Sequence, residues 1–194
     1  MSRARADMIE DTRARLIASA RHAFATQGYA QTSMDDFTAR AGLTRGALYH
    51  HFGDKKGLLA AVVAQLDGEM DASLQRISEQ ADHPWEGFCE RCRAYLRMAQ
   101  DPEIQRIVLQ DAPAVLGATD QQQCVDSLRQ LLDDLMQAGL IEQACSQALA
   151  RLINGSLVSA SFWVAQDGDS GARLEEALQG LELLLRGLKP KAVR

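Results

Sequence analysis

The sequence predicts an all-α fold in which a small three-helix head precedes a larger helical bundle. Only 5% of the 194 residues are aromatic and only four are proline, a composition that favours helix over sheet. Apolar residues recur every three or four positions, and no stretch alternates as a half-buried strand does. We place the boundary after residue 56, which gives a head over 1–56 and a body over 57–194.

The first predicted helix carries Leu16, Ala20 and Phe24 at helical spacing. Gly28 follows at the point where such a helix is expected to end. A longer helix begins after the head, where Asp54 is placed to cap its first turn. These two helices enclose the segment that carries the most specific pattern in the chain.

Two short helices are predicted between the first helix and the longer one. Ser33 and Asp36 form a capping-box pattern at the start of the first, and Gly42 ends it. Thr44 caps the second short helix, which ends at Phe52. Two capped helices joined by a glycine-containing turn make a helix-turn-helix pattern, whose second helix typically enters the major groove of DNA.

The N-terminal half of this second helix offers side chains that suit DNA recognition. Arg45 can donate two hydrogen bonds to a guanine edge, and Ala47 can contact a thymine methyl group. Tyr49 and His50 can bind phosphate or base, and the helix N-terminus attracts phosphate. We therefore predict double-stranded DNA as a partner.

The charge distribution agrees with that prediction once the chain is divided. The formal net charge is −5, from 21 basic and 26 acidic residues, which as an average disfavours a nucleic-acid partner. Residues 1–58 nevertheless carry nine basic and six acidic side chains, so the acidic excess lies in residues 59–194. A basic head on an acidic body suits DNA binding by the head alone.

The segment from Thr32 to Leu58, and above all its continuous run Gly46–Leu58, resembles the DNA-binding head of the tetracycline-repressor (TetR) family. The resemblance implies that Arg45, Gly46, Ala47 and His50 face the bases, while the matching residues around them hold phosphates or the geometry of the head. With the capping Ser33, the DNA-binding surface is predicted to comprise Thr32, Ser33, Thr44, Arg45, Gly46, Ala47, Tyr49, His50, His51 and Lys55.

The body is predicted to contain five further helices, at residues 84–100, 102–110, 119–138, 142–166 and 170–188. Asp111 is expected to cap the end of the second of these. The last two helices carry apolar or small residues in alternating steps of three and four, namely Leu149, Ile153, Ser156, Ala160, Leu174, Leu178, Leu181 and Leu185. Such seams form either an intramolecular core or a four-helix homodimer interface, and the spacing does not choose between them. We predict the homodimer.

The resemblance also implies a repressor that leaves a palindromic operator when its body binds a small molecule. The effector is expected to be apolar or aromatic, because the body offers an apolar set of candidate ligand-binding residues: Phe88, Cys92, Tyr95, Met98, Leu109, Leu128 and Trp163. A regulator without a ligand, whose body binds a protein partner, is the alternative.

The four cysteines leave a second alternative open. Cys89 and Cys92 form a C-x-x-C pair, which a helix places on one face, and Cys124 and Cys145 lie at no recognised zinc-ligand spacing. We predict buried structural thiols and no metal. A redox or electrophile sensor remains the alternative, since Arg91 and Arg93 adjoin Cys92.

The sequence shows no pattern of an enzyme or a membrane protein. It has no glycine-rich phosphate loop and no nucleophile elbow, so neither catalysis nor a cofactor is expected. No uncharged run is long and apolar enough to span a bilayer, and no apolar signal segment follows the N-terminus. We therefore expect a cytoplasmic protein.

Overall fold

The computed structural model describes residues 2–42, 44–117, 121–166 and 168–190. Within these ranges the chain forms helices and no strand, which confirms the predicted all-α fold. In chain order the helices are α1 (Ser2–Gln27), α2 (Met34–Ala41), α3 (Arg45–Phe52), α4 (Lys55–Glu79), α5 (Pro84–Met98), a π-helical stretch (Ile104–Asp111), α6 (Ala112–Leu116), α7 (Gln122–Gln137), α8 (Ser146–Val164) and α9 (Ser170–Arg186).

The chain forms two compact units, and their boundary falls inside α4. The first unit comprises Met1–Gly68 and Pro102–Ala118, and the second comprises Glu69–Asp101 and Thr119–Arg194. Four of the five predicted body helices agree with the observed ones to within four residues at each end, and the helix predicted over 102–110 extends further. The predicted start of α7, at residue 119, lies outside the described residues.

The predicted caps set the limits of the short helices. The Ser33 hydroxyl accepts from the Asp36 backbone N–H at 3.2 Å, and the Asp36 carboxylate accepts from the Ser33 N–H at 3.1 Å. Gly42 ends α2 in the left-handed region at φ 62°, where a side chain would be strained. The Thr44 hydroxyl caps α3 through the Ala47 N–H. The sequence pattern of the helix-turn-helix is therefore present in full.

An apolar core fixes the angles between α1, α2, α3 and the start of α4. Phe24 and Phe37 meet edge to face with ring centroids 5.2 Å apart, and both are fully buried together with Leu48 and Leu58. Burying one such side chain stabilises the fold by about 1.5–3 kcal/mol. The head therefore holds the start of α3 rigidly without using any of the exposed residues of that helix.

The π-helical stretch corrects one expectation about the body. A helix that ends at residue 110, capped by Asp111, is predicted, but the helix continues through α6 to Leu116. Pro113 lies in the first turn of α6, directly after the π-helical stretch. Asp111 instead accepts a hydrogen bond from the Tyr29 backbone N–H at 2.8 Å, and so holds the turn after α1.

Candidate nucleic-acid interface

The N-terminal half of α3 is an exposed edge of the first unit. Leu48 is fully buried and anchors the helix, whereas Arg45, Gly46, Tyr49 and His50 are exposed. Tyr49 exposes 49% of its surface, which is high for so large a side chain. The helix therefore presents to solvent Arg45, Gly46 and His50, three of the four residues that the family resemblance implies face the bases.

Gly46 is not required by packing within the chain. A Cβ atom at this position would meet the Thr44 hydroxyl oxygen at 3.9 Å, which is ordinary van der Waals contact. A glycine that internal packing does not require leaves the helix surface low, so that another backbone can approach closely. This is the geometry expected where a helix lies against a DNA groove.

Arg45 is paired across the turn of the helix-turn-helix. Its Nε lies 2.5 Å from Oδ1 of Asp35, in the first turn of α2, and both side chains are more than half exposed. No sequence pattern links the two residues, because Asp35 lies ten residues before Arg45 and on a different helix.

Thr32 and Lys55 serve the geometry of the head. Thr32 is buried, and its hydroxyl donates to the Tyr29 carbonyl oxygen at 2.9 Å. The Lys55 ammonium donates to the Thr32 carbonyl and lies 4.3 Å from the centroid of the Tyr29 ring. Burial lowers the pKa of Lys55, and the charge of Asp111 opposes that shift. Of the two roles implied by the resemblance, these contacts favour the structural one.

The other predicted DNA-binding residues lie around the start and end of α3. Ser33 and Thr44 both use their hydroxyl groups as helix caps while remaining exposed. The ring of His51 is half-buried, with its centroid 5.9 Å from that of Phe52. Ala47 is half-buried on α3.

The candidate ligand-binding residues differ in burial and are divided between the two units. Phe88, Cys92 and Leu128 are buried and Tyr95 and Met98 half-buried, all in the second unit. Leu109 belongs to the π-helical stretch of the first unit. Trp163, on α8, exposes 39% of its surface.

The two thiols of the C-x-x-C pair are buried and protonated at neutral pH. Burial raises the pKa of Cys89 to about 11 and the pKa of Cys92 to about 12. Arg91 and Arg93, which support the redox alternative in the sequence, are each bound to a carboxylate: Arg91 binds Asp71 at 2.9 Å and Arg93 binds Glu182. A thiol that is not ionised is a poor nucleophile, so the structure does not favour the redox alternative at this pair.

Three of the four α9 residues predicted to form a homodimer interface lie inside the protomer. Leu174, Leu181 and Leu185 are buried within a single chain, which removes them from the predicted interface. The reason is that α9 packs the same stripe against its neighbours in the second unit. Leu149, Ile153, Ala160 and Leu178 are half-buried and Ser156 is exposed. The large apolar side chains exposed on α8 and α9 are Leu152, Phe162, Trp163, Leu183 and Leu184; we call them the outer apolar surface.

None of the helices in the described part of the chain is long and apolar enough to cross a membrane.

Two regions of the chain match the same family of known proteins. Residues 16–62 match the family described as "Bacterial regulatory proteins, tetR family", and residues 85–188 match "Tetracyclin repressor-like, C-terminal domain". The crystal structure of a TetR-family transcriptional regulator from Pectobacterium atrosepticum is 58% identical, covers all of both chains and superposes with a TM-score of 0.91. The Transposon Tn10 TetC protein of Escherichia coli is 27% identical over 145 residues, or 72% of this chain and 73% of TetC.

A further solved structure bears the description "Molecular basis for control of antibiotic production by a bacterial hormones". It is 26% identical and covers 93% of this chain and 98% of its own, with a TM-score of 0.75. The helix-turn-helix geometry, the helical second unit and these matches agree: the chain belongs to the TetR family of transcriptional regulators.

Proposed function

We propose that this protein is a homodimeric repressor that binds a palindromic operator through α3 and leaves it when a small molecule binds the second unit. The observation that carries the proposal is the exposed N-terminal half of α3, held by a buried Leu48 and carrying Arg45 and Gly46. In helix-turn-helix proteins this part of the second helix contacts base edges.

Each residue of α3 that is proposed to contact DNA has a separate part. Arg45 donates to the O6 and N7 atoms of a guanine, and Gly46 allows the helix to approach the groove closely. Ala47 contacts a thymine methyl group, and Tyr49 and His50 bind phosphate or base edges. Thr44 and Ser33 cap their helices at the DNA-facing ends.

The dimer is proposed to form through the outer apolar surface on α8 and α9. The large apolar side chains left exposed on these two helices support this interface, because extensive exposed apolar surface commonly marks a protein–protein contact. A two-fold dimer would present two copies of α3 to half-sites about 34–36 Å apart, or at another whole-turn spacing. The operator would therefore be close to palindromic.

The effector is proposed to be an apolar or aromatic small molecule that binds among the helices of the second unit. One of the similar solved structures is described in terms of the control of antibiotic production by bacterial hormones, which supports a response to a small molecule. Phe88, Tyr95, Met98 and Leu128 supply apolar surface in that unit. Effector and operator must weaken each other's binding by the same factor, because the two equilibria are linked.

Selection of bound fragments from a random DNA pool, followed by binding assays on two variants, tests the proposal. Arg45→Ala should cost about 1–3 kcal/mol of binding free energy and remove the preference at one base step. Gly46→Ala should fold as well as the parent, because a Cβ has room, yet bind the selected operator more weakly. No enrichment of any sequence by the unaltered protein would refute the proposal.

A further inference from the structure

We propose that Asp35 is a positioning residue for base recognition: its carboxylate holds the Arg45 guanidinium by Nε and keeps the two terminal nitrogens for a guanine edge. This inference rests on the proposed DNA-binding function and assigns one residue of α2 to its specificity. It starts from the 2.5 Å separation between Arg45 Nε and Asp35 Oδ1.

Both partners project from fixed backbone. Asp35 lies in the first turn of α2, directly between the two residues of the Ser33–Asp36 capping box. Arg45 is the first residue of α3 and follows the capping Thr44. The buried Phe37 and Leu48 anchor the two helices on which the pair stands. The contact therefore joins two helix starts whose separation the core already sets.

Stability of the fold does not explain the pair. The Arg45 and Asp35 side chains are 61% and 63% exposed, and ion pairs at that exposure contribute little to folding. Arg45, however, is the first residue of α3, the proposed recognition helix, so the orientation of its side chain bears on DNA binding.

The chemistry of the guanidinium gives the pair a consequence for specificity. A guanidinium donates through Nε and through two terminal nitrogens, and the terminal pair can meet guanine O6 and N7 end-on. An arginine already oriented by Asp35 has fewer rotamers to lose when it meets the base. The carboxylate also repels phosphates, so Asp35 should weaken attachment to DNA of any sequence while sharpening the choice of base.

The test measures affinity and base discrimination separately in the full-length protein. The probes are the duplex selected from the random pool, the same duplex with the guanine read by Arg45 replaced by adenine, and an unrelated duplex. The base step is identified as the one whose preference Arg45→Ala removes. Binding of all three is followed over a series of salt concentrations.

Asp35→Asn, which removes the charge and retains the side-chain shape, should reduce the discrimination between guanine and adenine by about tenfold. It should also bind the unrelated duplex several-fold more tightly. Asp35→Glu keeps the charge but displaces the carboxylate, so it should lose discrimination without that gain. Both variants should melt within a few degrees of the parent, because neither removes a cap.

Two controls separate positioning from a general effect of charge or folding. Glu10→Gln removes an exposed carboxylate from α1 and should leave discrimination unchanged. In an Arg45→Ala background, Asp35→Asn should leave the ratio of affinities for the guanine and adenine duplexes unchanged, because there is no guanidinium to hold.

Undiminished discrimination in both Asp35 variants, or an equal loss in the Arg45→Ala background, would overturn the positioning role. If the unaltered protein selects no sequence, the proposed function itself fails. The two failures are therefore distinguishable in one set of measurements.

Discussion

At Cys92 on α5, burial has a larger effect on the pKa of the thiol than the neighbouring charges have. Cys92 is fully buried, and removal from water raises the pKa of its thiol to about 12 although Arg91 and Arg93 oppose the shift. The arginine charges lower the pKa of the thiol less than burial raises it, and each arginine also forms an ion pair with a carboxylate. Adjacent cations along a sequence therefore do not establish a reactive thiol.

Cys92→Ala should flatten the loss of stability at alkaline pH. In the unfolded chain this thiol ionises near pH 9, whereas in the folded chain it stays protonated to about pH 12. The contribution of this thiol to the free energy of unfolding is therefore complete below pH 9 and is lost as the pH rises toward 12. Above pH 9 the free energy of unfolding should therefore fall more steeply with pH in the parent than in the variant. The two slopes should differ by up to about 1.4 kcal/mol per pH unit.

Urea unfolding at pH 8, 9 and 10 measures that slope. Cys145→Ala is the matched control, because Cys145 is exposed and its removal should leave the slope as in the parent. Identical slopes in the parent and the Cys92→Ala variant would contradict the assignment.

At the level of helices, Gly57 allows the start of α4 to lie close to the end of α3. Gly57 lies in the first turn of α4, where a Cβ would fall 2.1 Å from the Phe52 carbonyl oxygen. That oxygen belongs to the backbone at the end of α3, so it cannot move away without displacing the helix. The close approach of α4 to the end of α3 therefore depends on this glycine.

Gly57→Ala should destabilise the protein, whereas Gly68→Ala in the same helix should not. The first substitution forces a backbone shift with a cost of about 1–3 kcal/mol. At Gly68 a Cβ meets no atom of the described residues within 4 Å, so helix propensity should stabilise that variant by about 0.5–1 kcal/mol. Thermal unfolding followed by circular dichroism compares the two, and equal melting temperatures would count against the contact with Phe52.

For the whole molecule, the outer apolar surface predicts how the protein assembles. Leu184 is 61% exposed, whereas Leu181, one turn away on the same helix, is 6% exposed. The side chains of α9 are thus divided between the core of the protomer and the outer apolar surface, which is exposed in a single chain. A partner copy is the occupant we propose.

Leu184→Arg should give a folded monomer with much weaker operator binding. A charge in an apolar interface is costly, and one half-site alone binds weakly because the second contact is lost. Leu181→Arg should instead unfold the second unit, since it buries an unpaired charge inside the chain. Size-exclusion chromatography with light scattering, together with melting curves, separates these outcomes; a Leu184→Arg protein that remains dimeric would place the interface elsewhere.

Local patterns were enough to predict the fold class, the helix-turn-helix and its caps. Ser33, Asp36, Gly42 and Thr44 act within three or four residues of their partners, so their roles are legible in the chain. The family resemblance of the head follows from the same short segment. These features depend on backbone geometry and helix capping, which are local in sequence.

Contacts between distant residues could not be predicted in this way. Nothing in the spacing distinguishes the buried Leu181 from an interface leucine, because one helical stripe serves equally for an internal or an external neighbour. Asp111 bonds the Tyr29 amide from 82 residues away, and Asp35 reaches Arg45 only after the turn folds α2 against α3. Packing brings these groups together, and packing is a property of the whole folded chain.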